Sequence, residues 1–237
     1  MPMTLQMDDL QHLANNRWYS ELPVPFQQFI QKHALIRYYQ KEQAIFYSGD
    51  AFDGIYAVLE GAVRLGYVDI EGTESLAAIA EPIMWFGEIS LIDQQPRSHD
   101  ATAIQKTRIL HIPSAAIYAL LAEQPQFWFH IAQLTSQKLR IAFLELISIQ
   151  TQTIRQRLAL RLMLILQGYG NHVLIEKNII QLSQEQLAQM LTCSRQTVNQ
   201  ELQALEKLGV LKLAFKKIEV LDQEQLHQLA YTTSNIV

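Results

Sequence analysis

Residues 183–210 read S-Q-E-Q-L-A-Q-M-L-T-C-S-R-Q-T-V-N-Q-E-L-Q-A-L-E-K-L-G-V, and this stretch predicts two short helices joined by a tight turn. Ser183 is suited to cap the first helix, and Gln186 three residues later completes a capping box. Ser194 is suited to cap the second helix, which is expected to end at Gly209. Two helices joined in this way are typical of a helix-turn-helix.

The second of these helices has one apolar face and one polar face. Val198, Leu202 and Leu205 recur at helical spacing and are expected to point inward. The side chains expected to point outward are Arg195, Gln196, Asn199 and Gln200. A helix fits the major groove of DNA, where Arg pairs bidentately with guanine and Gln or Asn with adenine. Ser194 and Thr197, near the helix N-terminus, suit phosphate oxygens. The alternative is the ordinary solvated face of a helical hairpin.

Residues 193–211 carry the pattern C-S-R-Q-T-V-N-x-x-L-x-x-L-E-K-L-G-V-L, which resembles the recognition helix of the Crp/Fnr family of bacterial transcription regulators. The next stretch, K-L-A-F-K-K-I-E-V-L-D at 212–222, is similar to the wing of that family, a short hairpin. Thr192 stands where the family usually has Gly, and Glu201 where it often has an apolar residue. The resemblance implies double-stranded DNA as a partner. The candidate DNA contacts are Ser183, Ser194, Arg195, Gln196, Thr197, Asn199, Gln200, Lys216 and Lys217.

The charge of the chain is unevenly distributed. The 237 residues are 49% apolar and 18% charged, which is typical of a globular protein, and the net charge is −4. Residues 1–150 carry 10 Lys and Arg against 16 Asp and Glu, whereas residues 151–237 carry 9 against 7. Contact with DNA is therefore expected in the second part of the chain. Because the surplus there is small, base contacts and dimerisation are expected to supply much of the affinity.

Several classes of protein are excluded by what the sequence contains. The single cysteine, Cys193, excludes an internal disulfide and an iron–sulfur cluster, and no haem is expected. His99 and Asp100 are adjacent and point opposite ways in an extended segment, so they do not predict a metal site. The motifs of common enzyme classes do not occur, and an enzyme is not expected. The N-terminus does not resemble a signal peptide and the apolar runs are too short to span a bilayer, so a cytoplasmic protein without membrane contact is expected.

The N-terminal half contains short β-like segments separated by glycine turns. Residues 44–69 read A-I-F-Y-S-G-D-A-F-D-G-I-Y-A-V-L-E-G-A-V-R-L-G-Y-V-D, which predicts strands such as Ile55–Leu59 and Ala62–Tyr67. Strands this short at this spacing indicate a small barrel or roll. The pattern I-F-x-x-G-D-x-x-D-x-x-Y-x-V-x-x-G-x-V-R-L closely resembles the cyclic-nucleotide-binding β-roll.

Residues 85–103, W-F-G-E-I-S-L-I-D-Q-Q-P-R-S-H-D-A-T-A, are similar to the phosphate-binding cassette of that β-roll. The resemblance implies that Gly87 lets the backbone approach a sugar–phosphate and that Glu88 accepts a ribose hydroxyl. It also implies that Arg97 pairs with the phosphate and that Ser98 adds donors. The alternative is that Arg97 and Glu88 bridge to each other and tie down a loop. The candidate ligand contacts are Gly87, Glu88, Ile89, Ser90, Arg97, Ser98, His99 and Phe143.

Two departures from the family pattern bear on the identity of the ligand. His99 follows Ser98 where the cyclic AMP receptors of the family usually have a small residue. On the long helix, Ala142 and Phe143 stand where those receptors carry a Thr-Ser pair that reaches the adenine. Phe143 could stack on a base but cannot hydrogen-bond its edge. These departures argue against cyclic AMP, although it remains among the candidate cofactors. Either the ligand is a different one, such as cyclic GMP, a cyclic dinucleotide or another small anion, or the pocket no longer responds to any ligand.

Residues 125–153 predict one long helix that pairs two subunits. Its apolar residues step by three and four at Leu139, Ala142, Leu146, Ile149 and Thr153, which is typical of a coiled-coil seam. A homodimer would place two recognition helices in successive major grooves, about 34 Å apart, and would read an inverted repeat. The alternative is a helix buried within one monomeric domain.

The sequence thus predicts an α+β protein with three parts. These are a cyclic-nucleotide-binding-like sensor domain (1–124), a dimerisation helix (125–153) and a winged helix-turn-helix domain (154–237). The predicted function is a dimeric, sequence-specific transcription regulator, switched allosterically by a ligand in the β-roll, with RNA polymerase as a further partner. The alternative is a regulator that has lost its ligand response and acts constitutively.

Overall fold

The computed structural model of the chain describes residues 5–68, 71, 74–169, 178–214 and 217–231. It divides into two compact units, residues 1–137 and 138–237. The first unit contains α1 (Met7–Ala14), α2 (Arg17–Ser20), α3 (Val24–His33), β1 (Leu35–Tyr39), β2 (Ala44–Phe46), β3 (Gly54–Glu60), β4 (Val63–Val68), β5 (Glu74–Ala80), β6 (Trp85–Phe86), α4 (Ile89–Asp93), β7 (Asp100–Ala103), β8 (Thr107–Pro113), α5 (Ser114–Glu123) and a 3₁₀ turn (Pro125–Phe127). The second contains α7 (Ile154–Leu166), β9 (Ile179–Ile180), α8 (Gln184–Leu191), α9 (Arg195–Lys207), β10 (Leu211–Ala214), β11 (Lys217–Val220) and α10 (Gln223–Tyr231). The long helix α6 (Trp128–Thr151) runs from one unit into the other.

The strands of the first unit form a roll of two antiparallel sheets, in the orders β1-β8-β3-β6 and β2-β7-β4-β5. β3 is buried from Gly54 to Leu59, because both of its faces carry apolar side chains. A side chain at Gly54 would collide with the carbonyl of Ile112 and the ring of His111 on the neighbouring β8. Glycine at this position therefore lets the turn that enters β3 lie directly on His111. The predicted strands 55–59 and 62–67 are both confirmed to within a residue or two.

Aromatic side chains join the helices of the first unit to its sheets. The rings of Phe26 and Phe127 stack at 4.9 Å, and the ring of Trp18 meets the edge of Trp85 at 5.0 Å. Such aromatic pairs stabilise the folded state by more than the burial of their apolar surface alone. Trp85 is the first residue of β6, which leads directly to Gly87, so the contact with Trp18 fixes the start of the cassette in the core.

Backbone hydrogen bonds hold the cassette against the loop between β2 and β3. The amide of Arg97 donates to the carbonyl of Asp50, and the amide of Gly49 donates to the carbonyl of Arg97, both at 2.8 Å. Between Gly87 and this clasp lies the five-residue α4, which ends at Gln94 in the left-handed conformation (φ 57°). The loop and the cassette are therefore one local assembly, which brings residues 50–54 next to Arg97.

The second half of α6 carries an exposed apolar stripe. Leu139, Phe143, Leu146 and Ile149 are 55, 54, 53 and 53% exposed. The helix ends at Thr151, and Thr153 forms a capping box with Gln156 at the start of α7. The stripe therefore stops before Thr153, which caps α7 instead of extending the predicted seam. None of the helices in the described part of the chain is long and apolar enough to span a bilayer.

The second unit is built on α7, whose residues from Leu158 to Leu166 are all buried. Helices α8 and α9 pack against it, the strands pair in the order β10-β11-β9, and α10 lies along α7. The predicted capping box of Ser183 is present, and Val198, Leu202 and Leu205 are fully buried. The predicted fold class, α+β with an N-terminal β-roll, a long helix and a C-terminal helix-turn-helix with a wing, is confirmed.

Candidate ligand site and DNA-reading surface

Gly87 leaves room for the arginine of the cassette. Its φ is +92°, a left-handed conformation that favours glycine. A Cβ at this position would lie 3.0 Å from Nη1 of Arg97 and 3.3 Å from the carbonyl oxygen of Gly54. Any other residue here would press on the guanidinium as well as strain the backbone. The group that lies close to Gly87 in this structure is the guanidinium of Arg97. The approach of a sugar–phosphate to the backbone of Gly87 stays a prediction.

Arg97 is buried beneath the cassette, with 1% of its side chain exposed. Its Nη1 donates to the carbonyl of Gly87 at 2.9 Å. Its Nη2 donates to the carbonyl of Gly54 at 2.7 Å and to Oδ1 of Asp53 at 2.6 Å. A buried guanidinium needs a counter-charge and acceptors to offset its loss of water. Asp53 supplies the charge, and the two glycine carbonyls supply further acceptors.

Three aromatic rings lie close to the guanidinium. Its central carbon lies 4.3 Å from the ring centre of Phe46, 4.9 Å from that of Phe52 and 5.6 Å from that of Tyr56. Within the described part of the chain, Nε of Arg97 has no hydrogen-bond acceptor. A buried N–H without an acceptor costs about 1–3 kcal/mol. The residues therefore suit an anion, because one acceptor atom at Nε would recover this cost.

Asp53 is the centre of a cluster of four interacting groups. Its Oδ2 accepts a hydrogen bond from the hydroxyl of Tyr56 at 2.5 Å, and Nε2 of His111 lies 3.1 Å from its backbone carbonyl. Burial by itself raises the pKa of Asp53, but the hydrogen bonds from Tyr56 and Arg97 outweigh it, so this pKa lies below its usual value. Burial and the bond to Asp53 raise the pKa of Tyr56. Asp53 is therefore a carboxylate and Tyr56 a neutral donor.

His111 completes this cluster as a neutral ring. Only 1% of the residue is exposed, and its ring stacks on that of Tyr56 at 4.6 Å. Burial, followed by the charge of Arg37, lowers the pKa of His111 to about 4. The cluster near neutral pH therefore holds one cation, Arg97, and one anion, Asp53.

The residues around α4 differ in how accessible they are. Glu88 is 1% exposed, and its backbone carbonyl accepts the first hydrogen bonds of α4. Ser90 is buried and its hydroxyl donates to the carbonyl of Pro96 at 3.3 Å. Ile89 points outward and is 36% exposed. Glu88 and Ser90 thus belong to the interior side of the cassette, whereas Ile89 belongs to its surface.

The remaining candidate ligand contacts lie at the end of the cassette and on α6. Ser98 is exposed, and its hydroxyl lies 2.9 Å from Nδ1 of His99, whose ring meets the edge of Phe46 at 5.9 Å. His99 therefore sits over the aromatic surround of Arg97, where the sequence departs from the family pattern. Phe143 is an exposed residue of the second unit, and its role as a ligand contact stays a prediction.

The polar face of α9 points outward as predicted. Arg195, Gln196 and Gln200 are exposed, and Asn199 is half-buried. The hydroxyl of Ser194 caps the helix by accepting from the amide of Thr197 at 3.0 Å, and the two hydroxyls lie 2.8 Å apart. These two residues therefore order the first turn of the helix, whose free amides suit phosphate oxygens.

The turn before α9 shows the effect of the threonine at its centre. Thr192 adopts the left-handed conformation, with φ 52° and ψ 46°. A β-branched residue in this region is unusual and strained, which explains why glycine would be the easier choice. The amide of Cys193 closes the turn by donating to the carbonyl of Ala188 at 3.1 Å. Burial raises the pKa of the Cys193 thiol, which is therefore protonated.

Two polar contacts fix α9 to its neighbours. Oε2 of Glu201 accepts from Nε of Arg155 on α7 at 2.6 Å, which gives the unusual acidic residue at position 201 a partner. The side-chain amide of Asn199 donates to Oε1 of Gln184 on α8 at 3.0 Å. The first contact anchors the helix, and the second orients one of its candidate base-reading side chains.

Arginines of α7 bind the elements on either side of it. Nη2 of Arg157 donates to the carbonyl of Leu191 at 2.8 Å, at the end of α8. Nη1 of Arg161 lies 2.7 Å from Oε1 of Glu145 on α6, and both side chains are largely buried. Burial raises the pKa of Glu145 although the charge of Arg161 opposes it. These contacts tie the second half of α6 to the helix-turn-helix through α7.

A groove of about 380 Å³ lies between the helix-turn-helix and the wing strands. Ser183, Arg195 and Lys217, three of the candidate DNA contacts, line it from three different elements. Lys216 lies outside the described residues. The structure therefore brings Ser183, Arg195 and Lys217 to one surface, next to the exposed Gln196 and Gln200.

The structure assigns positions to two residues that the sequence did not single out. The sequence patterns place Asp53 only in a glycine turn of the quoted β-roll pattern, and they place Gln184 only in the first helix of the pair. Asp53 meets Arg97 across 44 residues and Gln184 meets Asn199 across 15, and spacing along one helix or strand does not reveal such contacts.

Across the described ranges, no group of three or more His, Cys, Asp and Glu residues could hold a metal ion. The carboxylate of Asp100 instead accepts the amides of Ser48 and Val68.

Comparison with known protein families places both units. Residues 36–124 match the model of the cyclic nucleotide-binding domain, and residues 156–229 match the Crp-like helix-turn-helix domain. The first match contains the roll and the cassette, and the second contains α8, α9 and the wing.

Curated relatives and solved structures agree with these matches. The chain is 33% identical over 196 residues to a cyclic AMP receptor protein of Thermus thermophilus, covering 82% of this chain and 88% of the relative. It is 27% identical over 193 residues to a CRP-like cAMP-activated global transcriptional regulator of Mycobacterium tuberculosis, covering 81% of this chain and 86% of the relative. A solved CRP/FNR-family regulator of T. thermophilus is 28% identical with a TM-score of 0.63, covering 82 and 97% of the two chains. The chain is a DNA-binding transcription regulator with a cyclic nucleotide-binding domain, and it belongs to the Crp/Fnr family.

Proposed function

We propose that the chain acts as a homodimer that reads an inverted-repeat operator through α9. The observation that carries the proposal is the exposed row Arg195, Gln196 and Gln200, held on a helix whose opposite face is fully buried. Ser183, Ser194, Thr197, Asn199 and the wing lysines Lys216 and Lys217 are proposed as further contacts. Because this surface is exposed and anchored, DNA could meet it without prior rearrangement of the side chains.

The apolar stripe of α6 supports the dimer. Leu139, Phe143, Leu146 and Ile149 are each more than half exposed, and a second copy of the helix would bury all four. A two-fold pair would place the recognition helices about 34 Å apart, one helical turn of DNA. We extend the proposal to the organisation inferred from the sequence: sensor domain 1–124, dimerisation helix 125–153 and DNA-binding domain 154–237.

We further propose that a cyclic nucleotide or a related small anion binds the cassette and shifts the population of DNA-binding conformations. The buried Arg97, whose Nε has no acceptor among the described residues, and the buried Glu88 support an anionic ligand that also carries hydroxyl groups. Gly87, Ile89, Ser90, Ser98, His99 and Phe143 are the other proposed contacts. Relatives named as a cyclic AMP receptor and a cAMP-activated regulator make cyclic AMP the first ligand to test. RNA polymerase is proposed as the protein partner, since the chain regulates transcription.

A constitutive regulator is the second candidate, and one observation favours it. The terminal nitrogens of Arg97 already meet Asp53 and two backbone carbonyls, so the charge that would bind a phosphate is balanced from within. Under this hypothesis the dimer binds its operator equally well with and without any cyclic nucleotide.

One experiment separates these candidates. Sequences that bind the purified full-length chain are selected from random DNA, in parallel without ligand and with millimolar cyclic AMP, cyclic GMP or cyclic di-GMP. Recovery of an inverted repeat that is enriched only with one ligand supports the switched regulator. Equal enrichment in all four selections supports the constitutive one, and enrichment of a single unrepeated half-site contradicts the dimer.

A further inference from the structure

The side of Arg97 that binds anions is only half engaged. A guanidinium binds an anion bidentately through two neighbouring nitrogens, such as Nε and Nη2. In Arg97, Nη2 donates to Asp53 and Gly54, whereas Nε has no acceptor among the described residues. The carboxylate of Asp53 thus occupies one end of this pair of donors and leaves the other end open.

Asp53 is the partner of this pair that can move. Its side chain is 45% exposed, whereas that of Arg97 is 1% exposed and enclosed by Phe46, Phe52 and Tyr56. The carboxylate could therefore turn into water by giving up its hydrogen bonds from Arg97 and from the hydroxyl of Tyr56, whereas the guanidinium has no such route. The backbone of Asp53 is held independently, because its carbonyl accepts the amide of Ser114 at 2.8 Å.

A ligand anion and the Asp53 carboxylate would compete for the same nitrogen. Both are negative, so simultaneous binding at Nη2 would place like charges within a few ångströms of each other. We propose that Asp53, on the loop between β2 and β3, is a specificity-determining residue of the ligand site: its carboxylate stands in for the ligand's anion, and a ligand binds bidentately to Arg97 only by displacing it. This inference rests on the proposed ligand site and adds an internal competitor to it.

The competition sets a threshold for ligands. A ligand must provide two acceptor oxygens in the plane of the guanidinium. One replaces the Asp53 carboxylate at Nη2, and the other accepts the hydrogen bond that Nε does not make in the structure. A cyclic phosphate has such oxygens, whereas a neutral nucleoside does not. Removing the carboxylate should therefore increase affinity for phosphate-containing ligands and leave neutral nucleosides unaffected.

The test compares Asp53→Asn with Asp50→Asn in the full-length chain. Asp50 lies on the same loop and its carboxylate accepts the amide of Tyr47 at 2.7 Å. Its replacement therefore removes the same charge without changing a contact of the Arg97 guanidinium, because Asp50 meets Arg97 only through the backbone. Binding of cyclic AMP, cyclic GMP, cyclic di-GMP and adenosine is measured by titration calorimetry. For at least one cyclic nucleotide, Asp53→Asn should bind about tenfold more tightly than the unmodified chain, which is the worth of one charged hydrogen bond. Asp50→Asn should stay within about twofold.

Further variants make the outcome decisive. Adding Arg97→Gln to Asp53→Asn should abolish the gain, because the gain acts through the guanidinium. If the unmodified chain and Asp53→Asn bind a cyclic nucleotide equally well, the competitor is refuted while the ligand site stands. If neither binds any cyclic nucleotide, both the ligand site and the competitor are refuted, while operator binding stands as a separate measurement. Asp53→Ser, titrated alongside, provides the same comparison should the asparagine variant fold poorly.

Discussion

Arg97 and Arg195 are both candidate binding residues, yet the structure treats them in opposite ways. Arg97 is buried, with a counter-charge, two carbonyl acceptors and aromatic rings around it. Arg195 is exposed at the start of α9 and lines a groove with Ser183 and Lys217. The charge of Arg97 is thus balanced from within, whereas Arg195 is open to a binding partner. A ligand must exchange contacts that already exist, and DNA only has to displace water and ions.

This difference has a consequence for regulation. A site that is stable without its ligand lets the sensor domain fold and persist in the ligand-free state, so that binding can shift a population. In the proposed dimer, a recognition surface that needs no rearrangement would leave the control of DNA binding to the relative position of the two copies.

The largest effect is expected on the exposed apolar stripe. Leu146→Glu would put a charge on each side of the proposed seam, where Leu146 is 53% exposed in the single chain. We expect a monomer by sedimentation and a loss of operator affinity of about 100-fold or more, because the two half-sites would no longer be bound together. Fluorescence anisotropy with a labelled operator measures the loss.

A matched change on the same helix controls for charge. Gln133→Glu adds the same charge at an exposed position on another side of α6 and preserves the acceptor that faces His130. It should remain dimeric and bind normally. A Leu146→Glu protein that still sediments as a dimer would show that this stripe of α6 is not the dimer interface.

The buried half of the contrast predicts a loss of stability in acid. Because the folded state lowers the pKa of His111 from 6.5 to about 4, it resists a proton that the unfolded chain accepts. The stabilising contribution is therefore complete above pH 6.5 and is lost as the pH falls from 6.5 to 4. The loss should be on the order of 3 kcal/mol in the free energy of unfolding.

Urea unfolding between pH 4 and 8, followed by tryptophan fluorescence, measures this loss in the first unit, which contains His111. The three tryptophans, Trp18, Trp85 and Trp128, all lie in residues 1–137, so their fluorescence reports the unfolding of the first unit. His111→Gln keeps a donor for the Asp53 carbonyl but has no proton to gain, and its stability should fall much less between pH 6.5 and 4. Parallel pH profiles for the two proteins would contradict a neutral, buried His111.

The sequence predicted the features that depend on neighbouring residues. The caps at Ser183 and Ser194, the buried row Val198, Leu202 and Leu205, and the strand at 55–59 all follow from short-range patterns, and the structure contains each of them. Helix periodicity also gave the exposed face of α9 correctly. Local hydrogen bonding and burial decide these features, and both can be read from a window of about a dozen residues.

The contacts that define the candidate sites could not be predicted in this way. Arg97 meets Asp53 across 44 residues and Arg155 meets Glu201 across 46. Which carboxylate neutralises a buried arginine depends on the register of β3 against β8 and on the clasp between the loop and the cassette. The sequence showed the cation and several acidic residues around it, but only the fold selects Asp53 among them.

Arg195 tests the exposed side at a single base pair. Arg195→Ala should cost about 1–3 kcal/mol at the selected operator and relax the preference at one position of each half-site. Lys207→Ala removes the same charge from the exposed last turn of α9 and is the control. It should weaken binding slightly and equally on all sequences. Uniform weakening by Arg195→Ala as well would make Arg195 a phosphate contact.

The smallest effect is expected where a partly buried hydrogen bond orients the half-buried Asn199. Oε1 of Gln184 accepts from the amide of Asn199 at 3.0 Å and fixes which way that amide faces. Gln184→Ala frees the amide to rotate, which should cost about 0.5–1.5 kcal/mol and reduce discrimination at the base pair that Asn199 reads. Competition binding against operators that carry each alternative base pair measures the discrimination.

Gln184→Glu separates orientation from charge at this position. Glutamate keeps the acceptor for Asn199 but adds a negative charge beside the DNA, so affinity should fall on every sequence while discrimination at the Asn199 position survives. Gln184→Ala should do the reverse, with discrimination lost and general affinity nearly unchanged. If both variants lose discrimination equally, Gln184 contacts the base pair itself, and the second layer of support inferred for the recognition surface does not exist.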